Sequence, residues 1–434
     1  MERVQYKKLV AWKNETYRKP LILQGARQAG KTWLIKKFGR NEYNDFVYLN
    51  FELFPELNAL FEDNLQPGYI IANLSLYLGI RIESEDTLIC FDEIQLCPKA
   101  LTSLKYFYEM APEYHIISAG SLLGISIGKE SSFPVGKVSF LDIRPMNFYE
   151  FLVAGGNKNL AKHIKENNDI NEVLHSKLDY LLKQFLYIGG MPEVVHAYLI
   201  KKDVNLARQR QIEIIKSYEN DFSKYSDKNT SVKISEVWKS LPYQLARENK
   251  KFKYRDVKHK GRSSMYDETI HWLENAGLIH IVSQIRNAKL PLTGYEDSSK
   301  FKIYLLDTGL LCAMLKIDSA IILKPNALFS EYYGAIIENY VCKELISEND
   351  VDLHYWQSDY QAEVDFVFQY GNQIIPLEVK SGTNRNIKGL RSFESKYKVE
   401  NIYRTSPRKY EKRGNFTNFP LYFIYALRSK ISDN

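Results

Sequence analysis

Cysteine is scarce in this chain, and long apolar runs are missing from it. The four cysteines are scattered over 434 residues, at positions 90, 97, 312 and 342. This spacing excludes a disulfide framework and a cysteine-rich zinc site as the basis of the fold. No apolar run approaches the length of a membrane span, and the first residues lack the apolar core of a signal peptide. We therefore expect a cytoplasmic protein that does not cross a membrane.

The composition is that of a globular protein with a small basic excess. Hydrophobic residues make up 45% and charged residues 26% of a chain that is long enough for two or three domains. The net charge of +7 is concentrated in the C-terminal half, notably between residues 247 and 262. This excess favours nucleic acid, and DNA in particular, as a partner, although a solvated surface also explains extra lysines. A protein partner and a homo-oligomer are both compatible with the sequence.

Residues 25 to 32, GARQAGKT, match the phosphate-binding pattern G-x-x-x-x-G-K-[ST] at every fixed position. A short apolar run precedes them at 20–24, and an amphipathic helix follows at 32–38, which is the context that the pattern requires. The backbone around Gly25 and Gly30 would cradle ATP, Lys31 would reach its β- and γ-phosphates, and Thr32 would bind Mg²⁺. The alternative is a glycine loop that merely turns the chain.

A second acidic motif supports ATP hydrolysis. Residues 87 to 93, TLICFDE, predict a buried parallel strand that ends in two carboxylates. Asp92 is then a Mg²⁺ ligand, and Glu93 polarises the attacking water. A solvated acidic turn is the alternative. Ser121 follows a further strand candidate at 115–118 and could sense the γ-phosphate, although a plain strand-to-loop turn fits the sequence equally well.

The order of the elements predicts an α/β protein with three domains. Residues 1–177 alternate strands and helices, as in a P-loop NTPase with a parallel sheet and helices on both faces. Residues 178–310 read as helices followed by two apolar segments, at 279–285 and 301–306, which is typical of a winged helix. A small helical lid or docking domain fits this region as well. Residues 311–434 form the third domain.

The third domain contains a hairpin whose register follows from its turn. Strands on either side of Gly371 and Asn372 pair so that partner numbers sum to 743. One face is then apolar, and on the other Asp365 faces Glu378. Two facing carboxylates favour a bound cation, so both are candidate Mg²⁺ ligands, with Lys380 beside them to stabilise charge on a scissile phosphate. A solvated polar face with one raised carboxylate pKa is the alternative.

Asp365 followed by Glu378-Val379-Lys380 resembles the D…E-x-K core of the PD-(D/E)xK, or restriction-endonuclease-like, nuclease superfamily. In that superfamily a glutamate on the preceding helix often completes the site. Glu338 matches this position in the present sequence. The resemblance therefore implies a nuclease-like site in which Glu338 and Lys380 are catalytic and Asp365 and Glu378 hold the metal.

The order of motifs along the whole chain resembles a large prokaryotic family that joins an AAA-type ATPase domain to a C-terminal domain of unknown function. The further segments that carry this resemblance are 92–95, 120–121, 145–151, 189–193 and 302–309. It implies an ATPase core, a winged-helix middle domain and a nuclease-like C-terminal domain. No certain arginine finger is visible, and Arg144 is a guess.

These observations lead to a functional hypothesis and two alternatives. The chain is expected to be an ATPase that acts on DNA, with nucleotide state controlling Mg²⁺-dependent cleavage at the C-terminal site. The first alternative is a regulatory switch whose nuclease-like domain is a non-catalytic binding module for another protein. The second is a translocase that uses a degenerate nuclease fold only for grip.

Overall fold

The computed structural model describes residues 1–120, 133–224, 227–247, 250–323, 330–349, 351–359 and 362–432. The chain forms two compact units. The N-terminal unit comprises residues 2–144 and 275–277, and the C-terminal unit comprises residues 145–274 and 278–434 together with Met1. The domain boundaries after 177 and 310 remain predictions. No helix in the described ranges is both long and apolar enough to cross a membrane.

The N-terminal unit is built on a five-stranded parallel sheet with the order β2-β3-β4-β1-β5. Its strands are β1 (Leu21–Gln24), β2 (Asp45–Asn50), β3 (Thr87–Asp92), β4 (His115–Ala119) and β5 (Ser139–Asp142). Its helices are α1 (Gln5–Lys13), α2 (Lys31–Glu42), α3 (Pro67–Leu78) and α4 (Pro98–Met110), with 3₁₀ turns at Pro55–Phe61 and Ile94–Leu96.

Both faces of this sheet are covered at its centre, which explains why the inner strand β3 is buried along its whole length. All six residues of β3 are buried. Leu88 and Cys90 pack in one cluster with residues of α1 and α2, and Ile89 and Phe91 pack in another with residues of α3 and α4. A parallel strand that is buried on both sides has no polar face to alternate with. The α/β class and the parallel sheet with helices on both faces are confirmed.

The C-terminal unit begins with helices α5 (Phe148–Ala154), α6 (Lys158–Glu166), α7 (Glu172–Ile188), α8 (Pro192–Lys201), α9 (Val204–Lys224), α10 (Lys228–Leu245), α11 (Tyr254–Val257) and α12 (Ser263–Asn275). Later helices are α13 (Thr308–Met314), α14 (Ser319–Leu323), α15 (Ser330–Asn349), α16 (Lys388–Tyr397) and α17 (Leu427–Ser432). Two further 3₁₀ turns in the described ranges of this unit are Leu292–Tyr295 and Leu421–Ala426.

An eight-stranded mixed sheet follows, with the order β12-β13-β11-β10-β9-β8-β6-β7. Its strands are β6 (Ile279–Ile285), β7 (Glu296–Leu305), β8 (His354–Gln357), β9 (Glu363–Tyr370), β10 (Gln373–Val379), β11 (Ile402–Ser406), β12 (Glu411–Arg413) and β13 (Phe416–Pro420). The two segments that the sequence predicts as a wing are β6 and β7, which pair antiparallel. Strand β6 also pairs with β8, so the hairpin is part of the larger sheet.

Several motif segments of the C-terminal unit meet at one buried polar contact. The side chain of Asp307 accepts hydrogen bonds from the backbone N–H groups of Gly190, at 2.6 Å, and Leu310, at 3.0 Å. A Cβ atom at Gly190 would lie 1.9 Å from the carbonyl oxygen of Met146, so only glycine allows this approach. The residues in the segments around positions 146, 190 and 307 are therefore explained by the contacts that these segments make with one another in the fold.

Candidate functional site

The phosphate-binding pattern forms a loop between β1 and α2. Gly30 caps α2 in the left-handed conformation, with φ of 96°. Gly25 has φ of 136°, and a Cβ atom there would lie 2.2 Å from the carbonyl oxygen of Ile143. Because L side chains rarely adopt either backbone conformation, both positions favour glycine. The loop thus brings its backbone close to the neighbouring strand and opens at the N-terminus of α2, where anions are stabilised.

A buried arginine near the start of the chain is hydrogen-bonded to the backbone of this loop. The guanidinium of Arg3 donates hydrogen bonds to the carbonyl oxygens of Ala29, at 2.9 Å, and Arg144, at 2.5 Å. The side chain of Arg144 itself forms an ion pair with Asp142 at 3.3 Å. Sequence reasoning missed Arg3, because a single arginine in an N-terminal helix region has no motif around it. The arginine-finger role suggested for Arg144 remains a prediction.

Lys31 points back into the loop. Its ammonium group donates hydrogen bonds to the carbonyl oxygens of Gly25, at 2.8 Å, and Ala26, at 3.0 Å. Burial lowers the pKa of Lys31 to about 8, although the nearby carboxylates of Glu93 and Asp92 oppose this shift. Lys31 is therefore placed in the loop with two acidic groups close enough to influence its charge.

The candidate magnesium ligands lie together. The hydroxyl of Thr32 donates a hydrogen bond of 3.1 Å to Asp92 Oδ2. Asp92 is buried at the end of β3, and Tyr48 on the adjacent strand donates a hydrogen bond to the same carboxylate oxygen. Burial and this hydrogen bond raise the pKa of Tyr48, so it stays a donor. Tyr48 is a further site residue that sequence reasoning missed, since an aromatic in a strand reads as core.

Glu93 directly follows β3 in a turn with an unusual backbone conformation. Its backbone is left-handed, with φ of 53°, and its N–H donates a 3.1 Å hydrogen bond to Asp92 Oδ1. Its carboxylate accepts a hydrogen bond of 2.5 Å from Gln95 Nε2. A non-glycine residue in this conformation is uncommon and is concentrated at functional sites. Ser121 lies outside the described residues.

These residues fit a nucleoside triphosphate with its magnesium ion. The loop provides an anion-binding helix N-terminus and a lysine, and the Thr32 to Asp92 pair provides the oxygen donors that Mg²⁺ prefers. Bound Mg²⁺ would neutralise charge on the phosphates.

The second candidate site is on the β9–β10 hairpin, where the predicted register is confirmed for the five pairs from Tyr370–Gln373 to Phe366–Leu377, and the predicted pairing of Asp365 with Glu378 lies beyond the end of this ladder. Tyr370 pairs with Gln373, Phe368 with Ile375, and Phe366 with Leu377. Beyond these pairs, the backbone N–H of Val379 donates a 2.8 Å hydrogen bond to Asp365 Oδ2. Lys380 lies 2.5 Å from Glu378 Oε1 in an ion pair. The structure thus brings Asp365, Glu378 and Lys380 to the same end of the hairpin.

Glu338 reaches this hairpin from helix α15. The helix is fixed to β7 by Asn339, whose amide exchanges two hydrogen bonds with the backbone of Leu305, at 2.7 and 3.1 Å. On the preceding residue, the Glu338 carboxylate accepts a hydrogen bond from Tyr304. The helix therefore presents Glu338 to the strand that lies beside it, where it is 2% exposed.

A buried lysine that sequence reasoning missed joins these carboxylates. Lys302, on β7, is 1% exposed, and its ammonium lies 3.1 Å from Glu338, 2.6 Å from Glu363 and 3.8 Å from Asp365. Lys250 forms a second ion pair with Glu338. The sequence did contain a sign of this lysine's role, because it lies inside the apolar run at 301–306 and a charged residue in a buried strand needs a partner of opposite charge.

The charges in this cluster have opposite effects on its carboxyl groups. Burial raises the pKa of Asp365 to about 7, and the Glu338 carboxylate adds to this rise. Burial also raises the pKa of Glu378. For Glu338, burial alone would raise the pKa, but Lys250 and Lys302 lower it to about 2. Raised and lowered carboxyl pKa values in one cluster are a common feature of functional sites.

The donor set at the hairpin fits a divalent cation, with one competitor. Within the described residues, Glu378 Oε2 is buried and has no hydrogen-bond partner, which is the kind of oxygen that a metal ion would satisfy. No group of three or more His, Cys, Asp or Glu side chains in those ranges is arranged to hold a metal ion. A cation between Asp365 and Glu378 would compete with Lys302 for the Asp365 carboxylate.

Comparison with known families assigns the N-terminal unit. Residues 17–152 match the family described as an AAA domain. The N-terminal unit is an AAA-type ATPase domain. Two families described as domains of unknown function match later segments of the chain, DUF8612 over residues 179–320 and DUF4143 over residues 333–424. No curated protein is detectably similar to the chain.

Three solved structures show a distant likeness to this chain. A Walker-type ATPase of Pyrococcus abyssi is 15% identical, with 72% of this chain and 95% of that chain covered and a TM-score of 0.45. Cdc6p from Pyrobaculum aerophilum is 12% identical, with 74% and 93% covered and a TM-score of 0.26. AMPPCP-bound DnaA from Aquifex aeolicus is 17% identical, with 62% and 84% covered and a TM-score of 0.22. TM-scores below 0.5 do not establish a shared arrangement of whole chains.

Proposed function

We propose that this chain hydrolyses ATP in its N-terminal domain and acts on DNA, with nucleotide state controlling a Mg²⁺-dependent cleavage site in the C-terminal unit. The observation that carries the first half is the convergence of Lys31, Thr32, Asp92 and Glu93 around one loop. The observation that carries the second half is the hairpin end where Asp365, Glu378 and Lys380 meet.

In the ATPase domain each side chain has a distinct role. Lys31 binds the β- and γ-phosphates, Thr32 and Asp92 hold Mg²⁺, and Glu93 accepts a proton from the attacking water. The Gln95 side chain orients the Glu93 carboxylate. Tyr48 donates a hydrogen bond to one Asp92 oxygen and the Glu93 N–H donates to the other, and together they fix the orientation of this carboxylate. Such preorganised groups need no rearrangement at the moment of reaction.

At the C-terminal site, the proposed roles follow the residue chemistry. Asp365 and Glu378 would hold a Mg²⁺ ion, which would supply Lewis-acid activation of a phosphodiester. Lys380, paired with Glu378, stabilises negative charge on the scissile phosphate. Glu338 completes the acidic set and keeps Lys302 charged, since this carboxylate helps to raise the lysine pKa against the effect of burial.

The phosphates of DNA would be bound by basic side chains that form no ion pair with a carboxylate of the protein. In the basic stretch, Arg247 pairs with Asp256 and Lys258 pairs with Glu236. The exposed side chains at positions 255, 260 and 262 have no carboxylate partner within the described residues. These three exposed cations are free to contact phosphates, and their loss should reduce the salt dependence of DNA binding.

A second function, the regulatory switch, is favoured by the position of Lys302. An ammonium group that already neutralises Glu338, Glu363 and Asp365 does for the carboxylates what a metal ion would otherwise do. If that lysine stays in place, the C-terminal unit binds a partner protein rather than cutting nucleic acid.

One experiment separates the two functions. Double-stranded DNA, single-stranded DNA and RNA are incubated with the protein and Mg²⁺, in the presence of ATP or ADP. The nuclease predicts cleavage that depends on the nucleotide, that is lost in Lys380→Ala, and that is retained in Lys396→Ala, a control at an exposed lysine of the same unit. Cleavage that survives Lys380→Ala contradicts the assigned site, and the absence of cleavage of any polymer by the wild type supports the switch.

A further inference from the structure

The C-terminal unit contains a cavity of about 790 Å³ between helix α12, the β6–β7 hairpin and the start of β8. Four carboxylates line it, and no lysine or arginine is among its described lining residues. They come from Asp267 and Glu274 on α12, Glu296 at the start of β7, and Asp352 before β8. In a chain with a net charge of +7, this is a local concentration of negative charge.

A buried histidine gives this acidic cavity a second, independent feature. His354 lines the cavity and is 1% exposed, and its Nε2 lies 2.6 Å from Glu296 Oε1. Because an ionised carboxylate can only accept, Nε2 carries the proton of this hydrogen bond. In the neutral imidazole, Nδ1 is then an acceptor, and within the described residues it has no partner. A buried acceptor of this kind calls for a donor.

The chemistry of the cavity selects its ligand. The carboxylates and His354 Nδ1 are all acceptors, so they are complementary to a ligand rich in N–H donors with positive charge. The described residues include no group of three or more acidic, histidine or cysteine side chains arranged to hold a metal ion. The four carboxylates come from α12, β7 and the segment before β8, which suits a ligand with several separate positive charges. Phe301, Ile270 and Ile281 add apolar surface, which suits the methylene chains between charged groups.

The same charges argue against nucleic acid at this place. Helix α12 and the β6–β7 hairpin are the elements with which a winged helix would contact DNA. Four carboxylates between them would repel a phosphate backbone. We propose that this cavity binds an organic cation that carries several ammonium or guanidinium groups, either as a free polyamine or as side chains of a basic peptide.

The test is isothermal titration of the full chain with spermidine and, separately, with a tetralysine peptide. The variant Asp267→Asn/Asp352→Asn removes two exposed charges of the cavity and keeps the size of both side chains. The matched control Glu268→Gln/Asp359→Asn removes two charges from exposed neighbouring positions that do not line the cavity. Both proteins therefore have the same net charge.

We expect the cavity variant to bind the better of the two probes about tenfold more weakly than the wild type, while the control binds within about twofold. Tighter binding of spermidine would assign a free polyamine as the ligand, and tighter binding of tetralysine would assign a basic peptide. Equal weakening in both variants would reduce the effect to general charge attraction and overturn the proposal. Failure of the wild type to bind either probe would overturn it as well.

Discussion

Replacing Lys302 by methionine should destabilise the C-terminal unit by about 3 kcal/mol at pH 8 in the presence of EDTA. The ammonium is almost fully buried and contacts three carboxylates, at 3.1, 2.6 and 3.8 Å. Removing one partner of a buried ion pair typically costs about 3 to 5 kcal/mol, because the remaining charge stays buried without compensation. The lower end applies here, since Glu338 keeps Lys250 and the Glu363 side chain is one-third exposed.

The assay is thermal unfolding of the wild type and Lys302→Met, followed by circular dichroism. For a unit of this size the loss corresponds to a decrease in unfolding temperature on the order of 5 to 10 °C. Lys300→Met, at an exposed lysine two residues away, should change it by less than about 2 °C. The difference in unfolding temperature between the wild type and Lys302→Met should be smaller at pH 5, because carboxyl groups without a counter-charge then take up protons.

The same variant tests whether the hairpin carboxylates can bind Mg²⁺. If Asp365 and Glu378 can hold Mg²⁺, adding Mg²⁺ should restore part of the stability that Lys302→Met loses, because the ion then replaces the ammonium. An unfolding temperature of Lys302→Met equal to that of the wild type at pH 8 would refute the idea that this lysine neutralises the carboxylates.

Three further predictions follow from the same structure. Burial raises the pKa of Asp365 from 3.8 to about 7, so its protonated form stabilises the fold below about pH 4, and this stability is lost as the pH rises to 7. In EDTA, the unfolding temperature of Asp365→Asn should therefore depend less on pH across this range than that of the wild type. An equal pH dependence in both proteins would contradict the raised pKa. The pKa of Lys31 is lowered to about 8, so the ATP affinity measured by calorimetry should fall by about tenfold per pH unit above 8 as the lysine loses its charge. Constant affinity up to about pH 9 would contradict this lowered pKa. Gly190→Ala places a Cβ atom 1.9 Å from the Met146 carbonyl oxygen and should cost on the order of 4 kcal/mol in urea unfolding, whereas Gly294→Ala, with nothing within 4 Å, should stay within about 0.5 kcal/mol.

Local patterns in the sequence predicted the parts of the fold that depend on neighbours in the chain. The phosphate-binding loop lies between a strand and a helix as expected, because its glycines are needed by the backbone of the loop itself. The register of the β9–β10 hairpin followed from a two-residue turn, which leaves only one pairing that buries the apolar face.

Contacts between distant segments could not be predicted in this way. Arg3 reaches carbonyl oxygens that are 26 and 141 residues away, and nothing in its local sequence marks it. Lys302 and Glu338 are 36 residues apart on different elements, and only the folded sheet and helix bring them together. The pairing of β6 with β8 is also non-local, so a hairpin that reads as a wing in the sequence became part of a larger sheet.

The measurement that tests the central claim most directly is the rate of Mg²⁺-dependent ATP hydrolysis by the wild type and Glu93→Gln, with ATP binding measured in parallel. The glutamine keeps the shape of the side chain but cannot accept a proton, so we expect ATP binding to be retained and turnover to fall by at least about a hundredfold. Turnover by Glu93→Gln at the wild-type rate would contradict the assigned hydrolysis site.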